Sequence, residues 1–286
     1  MNQLVLQLLN GLVVGSSLAL VASGLALLFG VLGVINFAQG EFYMIGAYIV
    51  WLVLGRTGSY ALGLAAAAMV VAIGGGLVLL SLTKPLLEKA HVLTLLATLG
   101  VSLILQQLAQ NVFGGDAKLL QPPIEVAVDI GPVTYPLYGI VIIAIGLGLL
   151  IAGYFWLRYA KYGVWVRAVA QNRSMAAVLG VPVPRVYLLA FMISSGVAGL
   201  AGGLLAPVTS VFPQIGAPVI LNALIIVVAG GLGNFRGAAW IAILFGEIQS
   251  VGAIVAPPVV VELLLFGLVI VLLVARSRRI TSLVRL

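Results

Sequence analysis

The sequence contains no cysteine and a single histidine, His91. Disulfides, thiol catalysis, Cys-ligated zinc or iron–sulfur clusters and a His-rich metal site are thereby excluded. Charge is nearly as scarce: only 7% of the 286 residues are Asp, Glu, Lys or Arg, against roughly 25% in an ordinary soluble domain. So few ionic groups cannot cover a water-soluble globule of this length. No G-x-x-x-x-G-K-[ST] loop is present to hold a nucleotide. An intramembrane hydrolase would lack its parts, since neither H-E-x-x-H nor G-x-S-x-G occurs. No stretch is long and polar enough for a second, soluble domain. The first apolar segment lacks the basic flank and small-residue cleavage site of a signal peptide, so its retention is expected.

What is there is apolar. Hydrophobic residues make up 63% of the chain and the mean hydropathy is +1.27. A helix needs about 20 such residues to cross a ~30 Å hydrocarbon core. Runs of that kind lie at about 5–29, 61–82, 92–113, 136–157, 186–206, 237–256 and 259–275, with less regular segments near 37–54 and 218–235. The expectation is an all-α polytopic membrane protein of eight or nine transmembrane helices, some interrupted, forming a single domain over 1–286.

The 14 Lys and Arg exceed the 7 Asp and Glu, giving a net charge of +7 and a pI near 9.9. Their positions explain the excess, because cytoplasmic loops collect Lys and Arg. Loop 158–185 carries Arg158, Lys161, Arg167, Arg173 and Arg185 without an acid. The tail carries Arg276, Arg278, Arg279 and Arg285, and the turn 83–91 carries Lys84 and Lys89 beside Glu88. Loop 114–135 has the opposite balance, with Asp116, Glu125 and Asp129 against Lys118. Alternation from these anchors puts Arg236 and the C-terminus inside and the N-terminus outside. The net charge is a topology signal, and no nucleic-acid partner is implied.

Glycine is abundant, 35 residues, and GxxxG spacings at Gly11/Gly15, Gly199/Gly203 and Gly233/Gly237 suit close helix packing within the bundle or against another subunit. The stretch 30–46 breaks an apolar run with Gly33, Asn36, Gln39, Gly40 and Glu41. A following helix that begins at Phe42 is too short to span; one that begins near Phe37 buries Glu41. An ionisable group at that depth is a functional candidate facing a cavity or partner, or else a first-turn carboxylate favoured by the helix N-terminus. Segment 230–237 echoes this break, glycines followed by Asn234-Phe235. Glu247 and Glu262 fall in late spans, and Gln106, Gln107, Gln110 and Asn111 cluster toward the outer end of 92–113.

In loop 158–185, Ala168, Asn172, Ala176 and Gly180 recur every four residues, which puts them in one stripe on a helix. Such a small-residue stripe, flanked by Arg167 and Arg173 and ended by the prolines at 182 and 184, suits a groove in another protein. A helix lying on anionic headgroups would instead call for a large apolar face.

Three patterns, Asn36-Phe-Ala-Gln-Gly-Glu41 with Gly46-Ala-Tyr48, Arg167-Ala-x₃-Asn172-x₃-Ala176-x₃-Gly180, and the Gly-Gly-x-Gly of 230–233, resemble the LivH-type permease of bacterial branched-chain amino acid ABC importers. The resemblance runs over essentially the whole chain. It implies a non-enzymatic pathway subunit in the bacterial inner membrane that pairs with a second permease subunit, LivM-like or a like copy. It further implies two ATP-hydrolysing subunits, which carry ATP and Mg, and a periplasmic substrate-binding protein; no cofactor is implied on this chain. Loop 158–185 would be the coupling element, with Arg167, Ala168, Asn172, Ala176 and Gly180 in contact with the ATPase. Asn36, Gln39, Glu41, Tyr43 and Asn222 are the pathway candidates. Two departures stand out: many relatives have histidine where this chain has Gln39, and Met175 precedes Ala176-Ala177 where the broader importer motif has glutamate. Relatives of this shape also carry urea and short amides. An ion-coupled transporter that uses Glu41, Glu247 and Glu262 is the alternative outside the family.

Overall fold

The structure is a computed structural model that describes residues 2–86, 91–131 and 133–283. Glu88, Lys89 and Arg285 lie outside the described residues, as do the side chains of Lys84, Arg276, Arg278 and Arg279. Each apolar run of the sequence is a helix. In chain order these are α1 (Asn2–Leu32), α2 (Gln39–Thr57), α3 (Tyr60–Val78), a single turn α4 (Lys84–Leu86), α5 (His91–Phe113), α6 (Leu137–Tyr159), α7 (Lys161–Gln171), α8 (Arg173–Val178), α9 (Val183–Leu205), α10 (Gly216–Gly230), α11 (Phe235–Gly252) and α12 (Pro258–Leu283). Five of them are long and apolar enough to cross a membrane by length and composition: α1, α3 with its extension to Thr83, α5, α6 and α9.

The ends follow local chemistry. Gly58, at φ +69°, closes α2 by donating its N–H to Leu54 O at 2.9 Å, a left-handed cap that glycine adopts without strain. The Ser59 hydroxyl then caps α3. After Val78 the helix widens into a π turn over Leu79–Thr83. Pro85 is the reason, since it cannot donate and its ring crowds the preceding turn.

One departure from an all-α fold is a small antiparallel hairpin, β1 (Ala127–Ile130) with β2 (Val133–Pro136), pairing Val128 with Tyr135. It lies in the acidic loop, where the chain is solvated and too polar for a span. Its Tyr135 hydroxyl donates to Asn10 Oδ1 at 2.9 Å, so the N-terminal part of α1 lies on the hairpin side. At the other end of α1, Gly30 packs on Gly233, and the same end lies among Arg158, Arg167 and Arg236. The bundle therefore has a hairpin face and a basic face.

Helix α1 is the central helix, with Ala19, Val21, Ala22 and Ala26 fully buried. The GxxxG glycines serve packing inside the chain. Gly15 lies against Ile243 and Gly246 of α11, Gly199 against Gly46 and Val71, and Gly237 against Gly230. At the crossing of α2 with α9 the backbones touch. A Cβ on Gly46 would fall on the Gly199 backbone, and one on Gly202 on the Tyr43 backbone. Gly46→Val or Gly202→Val should therefore lower the stability of the detergent-solubilised protein by at least the ~1–3 kcal/mol of an overpacked core. Gly55→Ala, which meets no atom within 4 Å, should leave the melting temperature unchanged or raise it; equal behaviour of the three variants would contradict the crossing.

Candidate functional site

At the break between α1 and α2 four backbone amides find protein partners. Gly33, at φ +70°, ends α1 by donating its N–H to Phe29 O at 2.8 Å. The Phe37 N–H donates to Thr98 Oγ1 of α5 at 3.3 Å, the Ala38 N–H to Asn36 Oδ1 at 3.1 Å, and the Gln39 N–H to Asn36 O at 3.3 Å. Asn36 thus shapes the turn just before α2, its side-chain oxygen taking a backbone amide two residues on.

Three predicted residues meet here. Asn36, Gln39 and Glu41 are buried. Gln39 Nε2 donates to both the carbonyl and the hydroxyl of Ser194 on α9, each at 3.0 Å. Ser102 Oγ of α5 donates to Glu41 Oε1 at 3.1 Å. The partners fix the depth. Ser102 is the middle residue of the 23-residue α5, and Ser194 the middle residue of the 23-residue α9, so each stands about 16 Å from either helix end. Glu41 is in the first turn of α2 and also at half depth, because the break itself lies inside the bundle.

Helix α10 begins at the same place. A Cβ on Gly216, its first residue, would lie 2.5 Å from Gly40 O and 3.1 Å from Glu41 N. Two helix N-termini thus abut, each presenting first-turn amides without intrahelical partners and the positive end of a helix dipole. Around them, Asn36 Nδ2, Gln39 Oε1, Glu41 Oε2 and Thr94 Oγ1 are buried without a hydrogen-bond partner. Unpaired buried polar atoms are costly, so this cluster is where the described structure departs most from an inert core.

The other two candidates are elsewhere. Tyr43 is two positions beyond Glu41, about 200° around the helix, and its hydroxyl lies beside Ser17 and Thr209. Asn222 is buried with Oδ1 unpartnered, but lies six residues along α10 from Gly216, about 9 Å toward the basic face. The hydroxyls of α5 escaped the sequence reading. Thr94, Thr98 and Ser102 recur every four residues inside an apolar span, a helical face that periodicity alone could have shown. Gln107, Gln110 and Asn111 are exposed near the hairpin face, Gln107 bonded to Asn111 at 3.0 Å.

The 158–185 loop corrects the stripe. Ala168, Asn172, Ala176 and Gly180 do not share one helix: Asn172 separates α7 from α8, its backbone extended and its Oδ1 accepting from Met175 N at 2.9 Å. Gly180 takes φ +81°, and Val181 N donates back to Ala176 O at 3.0 Å. Ala176 is buried and Ala168 half-buried against this chain's own Val166, Val169 and Val183 cluster. Arg167 donates through Nη2 to Arg158 O at 3.0 Å. The pattern thus builds a helix–turn–helix. What it leaves outward is Met175 at 57%, Val178 at 82% and Leu179 at 76% exposure.

A bundle of apolar helices in which broken segments meet at half depth around buried polar groups is the construction of membrane transport proteins. The profile of the branched-chain amino acid transport system / permease component family matches residues 7–274. The chain belongs to that family, one of transport permeases. It is 27% identical over 285 residues to the high-affinity branched-chain amino acid transport system permease protein LivH of Escherichia coli K12, covering 93% of this chain and 92% of the relative. It is 28% identical to the corresponding BraD protein of Pseudomonas aeruginosa, covering 94% and 93%. With the probable LivH permease of Methanocaldococcus jannaschii it shares 31% identity, covering 81% and 76%. No solved structure matches the chain.

Ser102→Ala should destabilise the protein by ~1–3 kcal/mol, the cost of leaving a buried acceptor unpaired, read as a lower melting temperature in detergent. Ser81→Ala, whose exposed hydroxyl bonds to Leu77 O of its own helix, should change it by less than ~0.5 kcal/mol.

Proposed function

We propose that the chain is the membrane-spanning pathway subunit of an ATP-driven importer that moves branched-chain or other hydrophobic amino acids into the cytoplasm. One permease domain over 1–286 would cross the bacterial inner membrane nine times, using α2, α10, α11 and α12 besides the five long apolar helices. The hairpin face and N-terminus would be periplasmic and the basic face and C-terminus cytoplasmic, as the basic loop 158–185 favours. A second permease subunit, two ATPase subunits holding ATP and Mg, and a periplasmic binding protein would complete the importer.

The observation that carries this reading is the meeting of α2 and α10 at half depth beside the unpaired Glu41 oxygen. A zwitterionic amino acid has a carboxylate for the two helix N-termini and an ammonium for Glu41. Its side chain would lie against the apolar surroundings. The Gly40–Gly216 contact closes the site, so passage requires α2 and α10 to part. The outward Met175, Val178 and Leu179 of α8 and the turn after it would seat in the ATPase subunit, with Arg167, Ala168, Asn172, Ala176 and Gly180 shaping that element. Helix α9 leads from the turn to Ser194 and its bond to Gln39, so it would transmit ATPase motion to the break. The unpaired amide atoms of Asn36 and Gln39 favour the second reading, urea or a short amide.

In proteoliposomes containing the ATPase and binding-protein partners, uptake of radiolabelled leucine should require ATP, and Glu41→Gln should cut it at least tenfold while assembly persists. Urea uptake that survives Glu41→Gln would favour the amide reading, and uptake by this chain alone, abolished by an ionophore, would replace the importer with an ion-coupled carrier. Ala176 is unsuitable for testing docking, because changing it disturbs internal packing. Val178→Asp with Leu179→Asp should instead abolish ATPase co-purification without lowering the melting temperature of the isolated chain; intact co-purification would remove the docking role.

A further inference from the structure

Where the basic face meets the bundle, three arginines surround one tyrosine. Arg158 Nη1 donates to Tyr154 Oη at 2.8 Å. Arg236 donates to the same oxygen and lies with its guanidinium 4.1 Å from the Tyr154 ring centroid. Arg167, bonded to Arg158 O, completes the group. All three contacts use neutral oxygens, and each guanidinium has five N–H donors in a planar fork suited to phosphate. The three line a cavity of about 590 Å³ between α1, α6, α7 and α11, whose other walls include Leu27, Val31 and Phe235 and no carboxylate.

This cavity adjoins an apolar one. A groove of about 430 Å³ shares Tyr154, Phe235 and Arg236 with it and runs on between α6 and α11. Leu147, Ile151, Ala239, Trp240 and Ile243 line it. Residues 147 to 154 of α6 extend about 10 Å from the arginines toward the middle of the bundle. The head of the combined site is cationic and its tail is hydrocarbon.

We propose that this two-part cavity binds an anionic phospholipid, its phosphate held by Arg158, Arg167 and Arg236 and an acyl chain lying in the α6–α11 groove. A free phosphate or an acidic side chain of a partner would fill the head and leave the groove empty. The lipid satisfies both, and it comes from the leaflet on the basic face. Bound there it ties α7 to α6 and α11, the elements between the helix–turn–helix and the bundle.

The test is native mass spectrometry of the delipidated full-length chain titrated with dioleoylphosphatidylglycerol or dioleoylphosphatidylcholine. Phosphatidylglycerol should bind at least tenfold more tightly. Arg158→Gln with Arg236→Gln should reduce that preference below twofold, and Ile151→Trp, which fills the groove, should weaken both lipids. Should the double variant not fold, the comparison of lipids on the unaltered chain and the groove variant still decide. Equal binding of the two lipids overturns the proposal. So does phosphatidylglycerol binding untouched by the arginine changes or by Ile151→Trp, and so does its complete displacement by millimolar inorganic phosphate, which would mark a site for the free anion.

Discussion

Hydrocarbon offers no partner to a peptide N–H, so a helix can be interrupted inside a membrane protein only where other protein atoms take over its hydrogen bonds. The rest of this fold depends on meeting that condition at residues 33–38. Thr98 and Asn36 take the freed amides, which requires α5 to lie beside the start of α2. Gln39 is held by Ser194, which requires α9 on another side. Gly216 lies against Gly40, which puts α10 there as well. One interruption thereby fixes the arrangement of four helices.

Close approach is the second half of that arrangement. Side chains at Gly46 and Gly202 would hold α2 and α9 apart, and Gln39 could then not reach Ser194. In lipid, small residues gain from dispersion contacts between backbones, because no hydrophobic drive presses helices together. The glycines therefore set the distance at which the hydrogen bonds of the break can form. Packing and polar satisfaction are one constraint here, expressed in two kinds of residue.

The apolar spans were legible because hydropathy and length leave few choices in a chain with so little charge, and the observed helices begin and end within a few residues of the runs, except that α12 continues past 275 to Leu283. The broken segment was legible from Gly33 and Asn36. Tyr43 stands apart from Glu41, since two positions along a helix turn a side chain to the opposite face. The four-residue recurrence at 168–180 misled. Asn172 fits a helix stripe by spacing, yet asparagine caps a helix better than it continues one, and the capping alternative won. The hairpin at 127–136 was invisible because its strands are four residues each, below the length at which alternation separates from chance. The hydroxyls of α5 were present in the sequence, but only the partner helix gives them meaning.

The half-depth cluster joins a structural duty to unspent hydrogen-bonding capacity. Asn36, Gln39 and Glu41 each have one polar atom bonded and one unpaired. The bonded atoms hold the break in shape, and breaking any one of them leaves a buried group uncompensated. The unpaired atoms already bear that cost in the closed form. Under the proposed function, a polar solute that supplied their missing partners would favour a state in which α2 and α10 have separated, without disturbing the bonds that anchor α2 to α5 and α9. A fully satisfied cluster would offer a solute no such advantage, and a fully apolar one would expose the break. Partial satisfaction is the condition under which the interruption can both persist and yield.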